Sequence, residues 1–196
     1  MLIIHGLGNP GKKYSENKHN LGWMIIDELC LQLGLSMQNI NGGFFTKFNS
    51  NFLFKSSGFM NNSGQDLLKF VSYLKLSCED IHFLVIQDDS DQFIGRAKLV
   101  LGGGSAGHRG ISDIYKFAPN LSLDFNNIWR LKIGIRPIEN KLKSETFVLS
   151  NIDQQEKNVL KEISNLLKVF LQENKMPNQS GLINLQQVIN SKFGPK

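Results

Sequence analysis

Short apolar runs alternate along the chain with longer segments of helical spacing. Residues 2–7 (LIIHGL) are short, apolar and interrupted by glycine, which predicts a buried strand. Residues 8–18 mix glycine, proline and lysine and predict a loop. From Asn20 to Leu33 the spacing becomes helical, with Leu21, Met24, Ile25, Cys30 and Leu33 on one broad apolar face and Gly34 as the stop. Residues 44–48 and 52–55 alternate around Asn-Ser-Asn and predict a hairpin. A second helix is expected from Ser63 to about Lys75, entered through Asn62 or Ser63, with Asp66 completing an approximate capping box.

The strongest strand signal is residues 81–86 (IHFLVI), followed by a strand at 96–101. Residues 102–110 are glycine-rich and lead into a short helix at 111–117, and another strand covers 131–135 with Ile128 and Trp129 before it. A long amphipathic helix is predicted over 154–173, with Val159, Leu160, Ile163, Leu166, Leu167 and Phe170 on its apolar side. A turn at 176–181 and a last short helix at about 182–191 follow. Strands alternating with helices predict an α/β fold. The expectation is one three-layer domain spanning residues 1–196, with a mixed, largely parallel twisted sheet flanked by helices. Both C-terminal helices belong to it.

Composition narrows this picture. Hydrophobic residues make up 41% of the 196 and charged residues 20%, enough apolar material for a core and too much for intrinsic disorder. No apolar run approaches the ~18 residues that cross a bilayer, and the N-terminus lacks the basic and apolar regions of a signal peptide. Two cysteines, Cys30 and Cys78, form no disulfide framework or metal spacing, so a cytoplasmic protein is expected. The net charge is +5. It is spread along the chain, with no run of five like charges, so any basic binding face must be assembled by folding.

Two stretches match G-x-G-x-x-G: residues 6–11 and 102–107. The first is separated from the next helix by Pro10 and a polar segment, and neither is followed by a strand ending in a ribose-binding acid, so a nicotinamide site is not supported. Both loops still bring backbone close to something, or turn it sharply, at strand ends.

Sites in open α/β sheets lie beyond the carboxyl ends of the strands. There the chain places Asn9, the acids Asp88, Asp89 and Asp91, and His108, with His19 at the start of the first helix. A histidine oriented by an aspartate can take a proton from water. G-x-S-x-G, H-E-x-x-H and H-x-H are all absent, so water-mediated hydrolysis without a metal suits these residues best. His5 and His82, within or at the start of strands, read as structural.

Taken in order, GLGNPGKKY, KHNLGW, FFTKF, GFMNNSG, LVIQDDSD, GRAKLVLGGGSAGHRG, RLKIGI and TFVLS resemble the bacterial-type peptidyl-tRNA hydrolases. The resemblance covers most of the chain. It implies an enzyme that cleaves the ester between a peptide and the 3′-terminal ribose of tRNA, acting as a monomer without cofactor, metal or membrane. By the same resemblance His19 is the general base and Asp88 the carboxylate that orients it. Asn9 and Asn61 position the peptide and the scissile ester, Tyr14 lines the tRNA end, and Phe59 and Met60 form apolar walls. His108 belongs to the same site. Two positions depart from the family pattern. Arg109 stands where the family has asparagine, and Val100 where a basic residue of the tRNA-phosphate clamp is usual. Lys132 keeps the other basic position, with Lys98 or Arg96 as replacements for the first. The alternative is a non-catalytic tRNA- or RNA-binding homologue, which would have no need of His19 and Asp88 together.

Overall fold

Leu2, Ile3 and Ile4 leave no side of their strand to water. All three are fully buried, Leu2 and Ile4 in one apolar cluster and Ile3 in another. Successive side chains of a strand point to opposite faces, so a continuous apolar run implies a strand covered on both sides. In the computed structural model, which describes residues 1–75, 81–137, 147–174 and 177–194, this segment is β1 (Leu2–Gly6) at the centre of a seven-stranded sheet. Cys78, Thr146 of the last motif and Met176 lie outside the described residues.

The other strands are β2 (Gln38–Ile40), β3 (Gly43–Phe48), β4 (Asn51–Ser56), β5 (His82–Phe93), β6 (Ala97–Leu101) and β7 (Ile128–Arg136). Their order is β2-β3-β4-β1-β5-β7-β6. The four central strands run parallel, and β2, β3 and β6 add antiparallel margins. The hairpin at Asn49-Ser50 forms as expected, with Asn49 at φ +55.

Helices α1 (Leu21–Leu33), α4 (Gln154–Glu173) and α5 (Gln179–Phe193) cover one face of the sheet, where Leu2, Ile4, Leu84 and Ile86 meet Ile25, Ile163, Leu167 and Leu182. Helices α2 (Ser63–Leu74) and α3 (Arg109–Phe117) cover the other face through Phe70, Val71, Ile111 and Ile114. No helix among the described residues is long and apolar enough to cross a membrane.

Several boundaries differ from expectation. β5 runs twelve residues, because β7 pairs with it through Asp88 and Asp89; those acids lie within the strand, not after it. The sequence does not predict β2: two of its three residues, Gln38 and Asn39, are polar, and it forms the edge of the sheet. α5 begins at Gln179, inside the expected turn, because the Asn178 side chain accepts the Gly181 N–H at 2.9 Å. The capping box expected at α2 does not form. Asp66 instead accepts the Gly58 N–H at 2.8 Å, and the first N–H groups of α2, from Gly64 and Gln65, donate to the Asp113 carboxylate of α3 at 2.8 and 3.3 Å. A capping box does open α4, between Asp153 and Glu156.

The face under α2 is aromatic. Phe70 is fully buried, its ring stacked on Phe54 at 4.4 Å and close to Phe45 and Phe52. Phe70→Ala is expected to cost about 3–5 kcal/mol in urea denaturation, the range for deleting a packed aromatic ring. A loss below about 1 kcal/mol would contradict this packing.

Candidate active site

Residues Lys18–Asn20 form a single 3-10 turn that feeds into α1. The turn is pinned to a distant segment: the Lys18 N–H donates to the Ser150 carbonyl at 2.9 Å and the His19 N–H to the Val148 carbonyl at 3.0 Å. The Lys18 ammonium is buried in an ion pair with Glu156, the residue that also caps α4. Removing one member of such a pair strands a buried charge, at a cost of about 3–5 kcal/mol. The start of α1 presses onto the end of β1 because residue 22 is glycine; a Cβ there would lie 2.3 Å from the Leu7 nitrogen. His19 is thereby held over the carboxyl end of the central strands.

There it meets Asp88. The His19 Nδ1 lies 2.8 Å from Asp88 Oδ1, and the His108 Nε2 lies 3.0 Å from the same oxygen. His108 is the N-cap of α3, and its Nδ1 accepts the Ile111 N–H at 3.4 Å. An Nδ1 that accepts leaves the ring proton on Nε2, so His108 donates to Asp88. His19 likewise donates from Nδ1, which leaves its Nε2 lone pair for another proton.

The charges follow from this geometry. Burial alone would raise the Asp88 pKa, but electrostatic attraction and hydrogen bonding from the two imidazoles, His108 first and then His19, hold it well below the usual carboxylate range. Burial would lower the His19 pKa; the hydrogen bond and charge of Asp88 outweigh burial, and the nearby Arg109 opposes them, leaving it raised above 6.5. The ligating atoms of His19, Asp88 and His108 lie within 4.8 Å of one another, so the same set could hold a metal ion; their 2.8 and 3.0 Å contacts are hydrogen-bond lengths. Cys30 is no competing nucleophile, since burial, with Asp27 nearby, pushes its thiol up to about 11. His5 is structural as expected: it is buried, within 2.9 Å of Ser56 Oγ, and burial lowers its pKa to about 3.

A cleft of about 750 Å³ opens beside this triad. Of the residues singled out from the sequence, Asn9, Tyr14, His19, Phe59, Met60, Asn61, Asp88, Asp89, His108, Arg109 and Lys132 line it, and Asp91 and Lys98 do not. Lys98 lies across from Lys132 on β6, so it is near the site but not in it. Asn9 is fixed at both ends. Its backbone exchanges two 2.9 Å hydrogen bonds with the Asn20 side chain, and its Oδ1 accepts the Met60 N–H at 2.8 Å. That bond assigns the amide orientation and leaves the Nδ2 donors for the cleft. Tyr14 and Phe59 meet edge to face at 6.3 Å. Lys132 is paired with Asp89 at 2.8 Å, while no hydrogen bond or ion pair engages the exposed Arg109 among the described residues.

Sequence reasoning missed part of the lining. Gln87 lies beside Asp88 on β5, and Val148 and Leu149 come from the segment that pins His19. No local signal marks Val148 or Leu149; only the TFVLS motif contains them.

The chain matches the family model described as peptidyl-tRNA hydrolase over residues 3–192. The chain belongs to the peptidyl-tRNA hydrolase family. A peptidyl-tRNA hydrolase of Lactobacillus johnsonii is 41% identical over 162 residues, covering 79% of this chain and 83% of its own. That of Metamycoplasma arthritidis is 36% identical over 166 residues, covering 83% and 85%. The crystal structure of peptidyl-tRNA hydrolase from Acinetobacter baumannii superposes with a TM-score of 0.79 at 25% identity, covering 100% of this chain and 97% of that one. Membership in the peptidyl-tRNA hydrolase family accounts for the ordered motifs, which converge on the cleft from six separate parts of the chain.

Proposed function

We propose that this protein hydrolyses the ester bond joining a peptide, or an N-blocked amino acid, to the 3′-terminal ribose of tRNA. The observation that carries this reading is the 2.8 Å contact between His19 Nδ1 and Asp88, which turns Nε2 toward a cleft lined by carboxamides and apolar side chains. In the reaction His19 Nε2 takes a proton from water as the water oxygen bonds to the ester carbonyl carbon. Asp88 steadies the imidazolium that forms. The tetrahedral oxyanion accepts hydrogen bonds from carboxamide N–H groups, with Asn9 and Asn61 as the donors at hand. When the carbon–ribose oxygen bond breaks, His19 returns its proton to the ribose oxygen. Peptide carboxylate and tRNA leave, and no metal is needed for any step.

The Asn9 Nδ2 donors also explain selectivity. They suit a peptide carbonyl, which a free aminoacyl ester lacks, and an unpaired polar group in a site is a strong source of discrimination. Phe59 and Met60 wall the peptide side, and Tyr14 the tRNA side. Lys132 and Arg109 supply cations for phosphate; Lys132 has three N–H donors and can hold Asp89 and a phosphate together.

The test is incubation of the protein with N-acetylaminoacyl-tRNA and with unblocked aminoacyl-tRNA. Release of the blocked amino acid, and much slower release of the free one, is expected. Binding of tRNA without cleavage would instead mark a non-catalytic homologue. Arg109→Asn is expected to move the acid limb of the rate to higher pH, since Arg109 opposes His19 protonation. It is also expected to reduce the salt slope of tRNA binding by about 1, the loss of one phosphate contact. A salt slope and pH limb identical to wild type would exclude both roles.

A further inference from the structure

Arg130 on β7 is a buried cation with no buried anion beside it. It is 1% exposed, and among the described residues no carboxylate pairs with it. All its hydrogen bonds go to neutral acceptors. Nε donates to the Gln87 side chain at 2.9 Å. Nη1 faces three consecutive carbonyls of the glycine loop, Gly104 at 2.7 Å, Gly103 at 3.0 Å and Gly102 at 3.4 Å, and the Tyr115 hydroxyl at 3.2 Å. Nη2 is buried and makes no hydrogen bond. Burying a guanidinium in this way is costly.

Its partners indicate what the cost supports. Gln87 immediately precedes Asp88. The glycine loop leads through Ser105–Gly107 to His108, and Tyr115 lies on α3, which His108 caps. The loop can aim its carbonyls inward because Gly102 and Gly103 take φ of +66 and +86, a conformation that favours glycine. The Tyr115 hydroxyl completes the arrangement by donating to the Gly103 carbonyl at 2.7 Å.

We propose that Arg130 is a positioning residue for the hydrolytic site, fastening the glycine loop to Gln87 so that His108 stays on Asp88 and the carboxylate keeps its aim at His19. The guanidinium acts as a fork. One arm holds the strand that carries Asp88, and the other holds the loop that carries His108. A lysine has the charge but not the fork. This inference rests on the hydrolytic reading of His19 and Asp88.

The experiment compares Arg130→Met, Arg130→Lys and Gly103→Ala with wild type by kcat and KM on N-acetylaminoacyl-tRNA and by NMR of the imidazole signals. Gly103 is exposed, so its variant tests the loop geometry even where Arg130→Met fails to fold. Expected is a fall in kcat of about tenfold to a hundredfold in every variant that folds, the scale for a catalytic group displaced by about 1 Å. KM is expected to change by less than about threefold. The His108 signals move, while those of His5, buried on β1 against Ser56, do not. Unchanged kcat in Arg130→Lys or Gly103→Ala overturns the proposal. Movement of His5 together with His108 also overturns it, because the loss is then general unfolding. A wild-type protein that fails to cleave the substrate sinks the hydrolytic reading itself, whatever the variants do.

Discussion

His19→Ala is expected to lower single-turnover cleavage of N-acetylaminoacyl-tRNA by about 10²–10⁴-fold, the usual contribution of a positioned general base, with tRNA affinity within about twofold of wild type. The His19 side chain contributes its Nδ1 hydrogen bond to Asp88 and its Nε2 lone pair. Its backbone contacts to Val148, and the neighbouring Lys18–Glu156 pair, survive the substitution. The turn that carries it is therefore expected to stay in place, and the basic residues of the cleft with it. Rates and filter-binding affinities measured on the same preparation check the split. A mutant as active as wild type would remove His19 from the mechanism, and a mutant that lost tRNA binding as steeply as rate would make it a binding residue.

Asp88→Asn is the second large effect, about 10²–10³-fold in rate within the range for general-base catalysis. The carboxylate accepts hydrogen bonds from two imidazoles through one oxygen. A carboxamide keeps one acceptor oxygen but loses the charge that stabilises the imidazolium. If its NH2 turns inward, it faces two donors and breaks both contacts. The pH dependence separates this from a simple loss of fold. The charge and hydrogen bond of Asp88 raise the His19 pKa, so their removal lowers it. With neutral His19 as the proposed base, the acid limb of the residual rate is expected to move to lower pH. A large rate loss with an unmoved limb would mean that Asp88 acts other than through His19.

Much of this site was legible before folding, and the reason is local. The apolar runs and helical spacings place His19 at a helix start, and the glycine signals place loops at strand ends. Asn9, His19, His108 and the acids Asp88, Asp89 and Asp91 then stand out as polar groups near strand ends, while Asn61 and the choice of Asp88 among the acids come from the resemblance to the family. What remained hidden depends on contacts far apart in sequence. His108 reads as a loop residue, yet it shares the Asp88 oxygen with His19. The N-terminus of α2 takes its cap from Asp113 on α3, so Ser63 and Asp66 predict a box that never forms. The polar run QDDSD reads as the end of a strand, whereas pairing with β7 extends β5 through it. Lys18 falls at the end of the stretch expected as a loop, yet it is buried against Glu156, 138 residues away. Lys98 errs in the other direction: the resemblance offers it as a replacement for the basic residue absent at Val100, but it sits opposite Lys132 on β6, the margin of the sheet, and lies outside the cleft.

The basic balance of the chain acquires a location in the same way. Arg109 and Lys132 reach the cleft, and Arg130, the most buried of the arginines near it, faces the glycine loop instead of solvent. Charge spread evenly along the sequence thus contributes few cations to the site, and moderate, salt-sensitive tRNA binding is the expected result.

The most direct measurement is the pH dependence of single-turnover cleavage set beside the NMR titration of the His19 imidazole in the same protein. The raised pKa of His19 implies that it is protonated, and inactive as a base, at pH below a folded-state value lying above 6.5. Activity is therefore expected to fall as pH drops through that value, with the kinetic limb and the His19 titration coinciding. A rate that stays flat while His19 gains its proton would contradict general-base catalysis by His19.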